Sequence, residues 1–368
     1  MSMEGPRAPR ESELRGLYDF LNRELRPGSN WSIADEYPRA LQDFNRHNMR
    51  VILEGERVLS HAVLKPFVIK TPLGPIKLAG IGSVVTEGGH RGLGLSTQVL
   101  ESCLQAATSA ECDIAILWTE LYDFYRRLGF ELAGTEVALQ IDNELPSPAR
   151  DLKFIDSAQI DAEALLRLYN QHSVGTHRTL EDVREYLRIP NSRVSTAWDK
   201  HGKLVAYAIE GKGADLSGYI HEWGGGVGAL TALLSHMWKT RRDGARGLTL
   251  IAPRHSENLC RTLQAAGARR HDGHLGMIKI LRHEAIFAKL RRAARQHGIG
   301  DLVLEKNDTE YRIGRGSQVY ATQSEQDMIR LLFGPALPHE IHNFDPSTAQ
   351  ALQSILPIPL WIWGWDSV

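Results

Sequence analysis

Several things are scarce in this 368-residue chain, and each scarcity removes a class of explanation. Only three cysteines occur, Cys103, Cys112 and Cys260. They form no paired framework and have no metal-ligand spacing, so they read as reduced thiols of a cytoplasmic protein, and no metal is implied. Charge of one sign is not in excess: Lys+Arg number 43 and Asp+Glu 44. That argues against nucleic acid as a partner, because phosphate binding needs a basic stripe. No uncharged apolar run approaches the roughly 18 residues of a membrane span, so no membrane partner is expected. The first thirty residues mix acids and bases without an apolar core, which excludes a secretory leader as the reading of that segment.

What is present fits two or three folded domains: 42% apolar and 24% charged residues. Leu14, Leu17, Leu21 and Leu25 recur at helical spacing. After residue 48 the period becomes that of strands, with a hairpin over 49–64 turning at Gly55 and a strand over 76–86. A loop with four glycines follows, then an amphipathic helix over 97–108, a short strand over 113–118, a short helix over 122–128 ended by Gly129, and one closing strand over 130–141. The same order starts again near Asp151 and closes with a strand over 273–281. A smaller unit from Arg282 has one helix, three short strands near 301–306, 309–314 and 317–322, and a helix over 325–332.

The segment Val84-Val85-Thr86-Glu87-Gly88-Gly89-His90-Arg91-Gly92-Leu93-Gly94-Leu95-Ser96 carries the chemistry. It joins a strand to a helix. Glycines let backbone approach a ligand, and free N–H groups at a helix start favour phosphate. The Gly-Lys-Ser/Thr of a phosphate-binding P-loop is absent. About thirty residues on stands Phe124-Tyr125-Arg126-Arg127-Leu128-Gly129-Phe130.

Together these segments resemble the GNAT acetyltransferase superfamily. Its pyrophosphate motif, Arg/Gln-x-x-Gly-x-Gly/Ala, falls on Arg91, Gly94 and Ser96, with Ser in place of Gly or Ala. Its second pattern, Phe-Tyr-x-x-Leu-Gly-Phe, is matched at every fixed position. The resemblance implies acetyl-CoA as co-substrate, held by the backbone of Val84, Val85 and Thr86 and by the turn Arg91, Gly92, Leu93, Gly94, Leu95 and Ser96. It implies that Tyr125 gives a proton to the departing thiolate, a role suited to a phenol of pKa about 10. Thr119-Glu120 stands where family members often carry Asn.

The second cycle has Gly224-Gly225-Gly226-Val227-Gly228 in place of the first motif and no tyrosine in the later helix. It reads as a degenerate copy without coenzyme binding. The order of units resembles tandem-GNAT proteins of the enhanced-intracellular-survival type. The fold expected is therefore α+β: two tandem GNAT-like mixed α/β domains, 1–147 and 148–283, and a small sterol-carrier-like α+β domain, 284–368. In that family the terminal carboxylate reaches the first domain's active site as general base, and Val368 takes that role by position. Trp361, Ile362, Trp363 and Trp365 would anchor the tail, and Asp366 is a second carboxylate able to do the same work. Trp118 and Tyr122 read as core side chains rather than cavity walls. His271 and His274 read as solvated loop histidines.

The activity implied is direct transfer of acetyl to an amine of a small molecule or peptide. Two other readings stay open: a CoA-binding regulator without turnover, and a transferase of longer acyl or aminoacyl groups. Whether the chain forms a homo-oligomer is open as well.

Overall fold

A computed structural model describes residues 2–146, 151–157, 159–241 and 247–368. Strands β1 (Met3–Arg7), β2 (Met49–Glu54), β3 (Arg57–Lys70), β4 (Ile76–Thr86) and β5 (Ile114–Leu117) build most of a first sheet. β1 to β4 run antiparallel in sequence order, and β5 joins β4 in parallel. The leucine period at the N-terminus gives helix Leu14–Leu25, which buries Leu14, Leu17, Phe20 and Leu21. Helix Leu95–Ser109 buries Leu95, Val99, Leu100, Cys103 and Ala107, in one cluster with Leu59, Leu64 and Ile81 of the sheet. β1 escaped the sequence reading because Met-Glu-Gly-Pro-Arg carries no strand alternation; it is held at the sheet edge by β2.

The expected single strand over 130–141 is two strands in two sheets. β6 (Glu131–Ala133) stays with the first sheet, while β7 (Glu136–Ile141) enters the second. Gly134 between them has φ +71°, a left-handed conformation that redirects the chain and that side chains rarely adopt. The second sheet holds β8 (Lys153–Asp156), β10 (Arg193–Trp198), β11 (Leu204–Lys212), β12 (Asp215–Gly225), β13 (Leu248–Pro253) and β14 (Arg269–Gly273), while the two-residue β9 (Gly175–Thr176) pairs with β3. The next strand, β15 (Gly276–Ile280), returns to the first sheet between β5 and β6. β7 lies in exchange between β13 and β14. The two units thus trade their closing strands, and sheet membership crosses the expected division near 147. The crossing segments pack tightly: a Cβ built on Gly134 would lie 2.5 Å from Cβ of Leu275.

The third unit has an antiparallel sheet of β16 (Leu302–Lys306), β17 (Tyr311–Arg315) and β18 (Gln318–Thr322), with helices His283–Gln296, Glu325–Phe333 and Pro346–Gln353. One apolar core runs through all three units, joining Ile69 and Ile114 to Val137, Trp223, Leu290, Leu332 and Trp361. Trp361, Trp363 and Trp365 are almost wholly buried. Each indole removes about 200 Å² from water, worth about 5 kcal/mol before the chain entropy of ordering the tail is set against it.

Candidate active site

β4 and β5 pair only as far as Gly80 and Ile116, and β5 ends at Leu117 while β4 runs on to Thr86. The strands therefore part, and Val84, Val85 and Thr86 line the opening on the side that β5 has left. Their other edge remains paired with β3 at Ser60 and His61. The pairing is interrupted by a bulge at Ser83, which has φ +49°. His61, fully buried, holds the bulge by donating from Nδ1 to the Ser83 carbonyl at 2.8 Å. Burial pulls its pKa down to about 4, so the ring is neutral there.

The glycine loop leads straight from this opening into helix Leu95–Ser109. Gly94, at φ +76°, is the N-cap and no side chain caps the helix, so its first N–H groups are left for a ligand. Arg91, Gly92, Leu93 and Gly94 are exposed, and side chains built on Gly88, Gly89, Gly92 or Gly94 would meet nothing within 4 Å. Arg91 Nε donates to the Thr86 carbonyl at 3.3 Å, which sets the loop's cation beside the strand end. Ser96, the departure from the motif, has a use: its hydroxyl lies 2.7 Å from that of Thr86, itself 2.8 Å from that of Ser60. Three hydroxyls thus tie β3, β4 and the helix start together. The arrangement fits a diphosphate followed by an extended chain along β4.

Tyr125 lies in helix Tyr122–Arg126, edge-on to Phe124 and Phe130 at 4.9 and 6.0 Å between ring centres. Its hydroxyl has no hydrogen-bond partner among the described residues, and burial pushes its pKa up to about 12. The phenol keeps its proton at neutral pH.

Val368 lies against β4 where the strands part. A Cβ built on Gly82 would fall 2.6 Å from its carbonyl carbon, and one on Gly80 2.9 Å from its Cγ2. The second unit holds the tail in place. Lys212, fully buried on β11, donates from Nζ to the carbonyls of Gly364 (3.0 Å) and Ser367 (2.9 Å) and to the Ser367 hydroxyl (3.0 Å). Lys65 Nζ donates to the Asp366 carbonyl at 2.9 Å. Asp366 is not a second base. Its carboxylate is fully buried, paired with Arg178 at 2.7 Å and accepting from the Tyr186 hydroxyl at 3.1 Å, facing away from solvent. Arg178 spans it and Glu222, to which it is bidentate at 2.6 and 2.8 Å. This ion network was invisible to sequence reasoning, since its members are 44 to 188 residues apart.

β12 and β13 also pair in parallel, at Tyr219 and Ile220, and then part. Here the opening is filled. Trp223 of β12 donates from its indole to the Ile251 carbonyl of β13 at 3.0 Å, and Trp363 of the tail packs edge-on against it at 5.1 Å.

A cavity of about 490 Å³ opens beside Val368, between the two units and the tail, with Tyr37, Trp118, Glu136, Asp215 and Tyr219 among its walls. Trp118 is therefore a cavity wall, 38% exposed, and not core as the sequence suggested; Tyr122 is also exposed. Both follow the end of β5, where the strand pair has opened and leaves each of them partly exposed. Glu136 was missed because its place in the wall depends on β7 crossing to the other sheet. Among the described residues no group of three or more His, Cys, Asp or Glu is arranged to hold a metal ion, and no helix is long and apolar enough to cross a membrane.

No curated protein matches the chain. Three solved structures share its fold from end to end or nearly so. A probable N-acyltransferase of unknown function from Enterococcus faecalis V583 has 14% identity over 100% of both chains, with TM-score 0.69. A GCN5-related N-acetyltransferase from Anabaena variabilis has 15% identity over 100% of both chains, with TM-score 0.66. Eis1 from Mycobacterium abscessus has 13% identity over 100% of both chains, with TM-score 0.62. At such identities the likeness is one of fold, and it agrees with two tandem mixed α/β units and a small C-terminal one. Residues 7–133 match the family described as acetyltransferase (GNAT) domain. The matched stretch is the part of the chain that holds the parted strands, the glycine turn and Tyr125.

Proposed function

We propose that the protein is an acetyl-CoA-dependent N-acetyltransferase that moves an acetyl group directly to an amine. The observation that carries this reading is the open, uncapped turn 91–96 leading from parted strands, with a protonated phenol at Tyr125 in the same unit. Acetyl-CoA supplies an activated thioester carbonyl. The N–H groups of residues 92–96 and the Arg91 charge bind its diphosphate, and the backbone of Val84, Val85 and Thr86 orients the arm. The terminal carboxylate of Val368 takes a proton from the incoming ammonium, and the Tyr125 hydroxyl gives one to the sulfur.

In this reading the second unit binds no coenzyme, since Trp223 and Trp363 occupy the equivalent opening, and it serves to hold the tail. The small C-terminal unit corresponds to the sterol-carrier-like domain of the tandem proteins it resembles. Three unpaired cysteines agree with a cytoplasmic setting.

Calorimetric titration with acetyl-CoA together with a thiol-release assay on Tyr125→Phe tests the reading. Retained coenzyme affinity with a loss of about 10²-fold or more in kcat is expected. Full turnover in the variant, or no acetyl-CoA association with the native protein, overturns it.

A further inference from the structure

The cavity beside Val368 has walls of two chemical kinds. One is acidic. Glu136 is half-buried and its carboxyl has no hydrogen-bond partner among the described residues; desolvation alone pushes its pKa up to about 7. Asp215, which also lines the cavity, is 46% exposed and is already engaged by Arg26 Nη2 at 2.6 Å and by the Tyr37 hydroxyl. Val368 lines the same cavity. His274 also lines the cavity, where partial desolvation and the Arg330 charge lower its imidazole from the ordinary value. The neighbouring cations are engaged: Arg26 with Asp215 and Glu36, and Lys212 with the Gly364 and Ser367 oxygens. A carboxyl held without a partner inside a concave wall is a place for a ligand ammonium.

The other wall is apolar. Trp118 and Tyr219 leave 38% and 43% of their surfaces exposed, and Ile251, Leu275 and Ile362 complete it. These groups offer few donors or acceptors to a hydroxyl-rich molecule, whose polar groups would be desolvated without compensation. They do offer flat apolar area to an aromatic body.

We infer that the acceptor is a primary amine on an aromatic body, of the arylalkylamine class, with its ammonium at Glu136 and its ring between Trp118 and Tyr219. This rests on the acetyltransferase reading. The ammonium gives up one proton at the terminal carboxylate. The nitrogen lone pair then forms the N–C bond to the thioester carbonyl as the C–S bond breaks. Sulfur takes the Tyr125 proton, and the second nitrogen proton restores the phenol. The products are the N-acetyl amine, free thiol and one proton to solvent.

The test is thiol release from acetyl-CoA with tryptamine, ethylamine and spermidine, on the full chain. Tryptamine is expected to exceed both others in kcat/KM by about tenfold or more, since apolar contacts of this size discriminate by 10- to 200-fold. Glu136→Gln is expected to raise KM for tryptamine about tenfold while leaving the calorimetric affinity for acetyl-CoA unchanged. Trp118→Ala, and independently Tyr219→Ala should the first fold poorly, is expected to lower kcat/KM for tryptamine and not for ethylamine. Equal rates with ethylamine, preference for spermidine, or equal effects of the wall variants on both amines overturn the inference. Acetyl-CoA association without thiol release from any amine overturns it alone. Absence of acetyl-CoA association overturns the acetyltransferase reading and this one with it.

Discussion

Gly82 of β4 faces the carbonyl carbon of Val368 so closely that a side chain there would need the same space, with an added Cβ only 2.6 Å away. Gly80, two residues earlier on the same face of the strand, makes the same allowance for the valine side chain. Gly82→Ala should therefore push the terminus off β4 without touching the glycine turn. A fall of about 10² in kcat is expected, the size of a lost proton-transfer group, with acetyl-CoA affinity within about twofold of native. Thiol-release kinetics beside calorimetry decide it; undiminished kcat removes the terminus from the chemistry.

Lys212 is a fully buried ammonium whose direct partners in the tail are carbonyl oxygens and one hydroxyl. Burial and the neighbouring charge of Lys65 hold its pKa well below the lysine value. Lys212→Met keeps the stem and removes the donor. We expect kcat to fall about tenfold or more with the KM for acetyl-CoA unchanged. In a chain already extended beyond Val368 the same substitution should add little further loss, because both changes act through one terminus. Additive losses in the double variant would show that Lys212 acts elsewhere.

Arg178 lies between two fully buried carboxylates, Asp366 and Glu222. Removing the guanidinium leaves both without their cation, and breaking a buried pair in this way costs about 3–5 kcal/mol. Arg178→Met should lower unfolding free energy by that order in chemical denaturation. A change under about 1 kcal/mol would mean that the carboxylates are satisfied without it.

Glu136 gives a pH signature. Its folded carboxyl titrates at about 7 against an ordinary 4.5, so the folded state holds the proton more tightly than the unfolded chain. Stability from this group is intact below about pH 4.5 and is lost as pH rises through 7. At about 1.4 kcal/mol per unit the loss is about 3.5 kcal/mol at most. Glu136→Gln should accordingly be more stable than native at pH 8 and no more stable at pH 4.5, read from denaturation midpoints. A difference that does not vary with pH would show an unperturbed carboxyl.

The parts of the site that lie close together in the chain were legible. Arg91, Gly94 and Ser96, and the pattern from Phe124 to Phe130, stand on one turn and one short helix, where spacing alone fixes geometry. So were the strands of the small third unit. The alternation over 130–141 was also legible, but alternation is the same whichever sheet accepts the strand, and only Gly134 marks the crossing. Glu136 follows from that crossing, and so does the cavity it lines. Trp118 looked like core because an indole after an apolar strand normally is; the end of β5 at Leu117 leaves it facing open space. Trp223 closing the second opening, and Arg178 meeting Asp366, depend on contacts between distant segments that carry no local signature.

The traded strands bear on how the molecule comes into being. During synthesis the first sheet waits, missing an interior member, until residue 280 has left the ribosome. A gene cut after the first unit would yield a sheet with β5 and β6 facing each other across an unfilled lane. The sheet that carries the glycine turn is thus completed only by a strand made after the whole of the second unit's sheet.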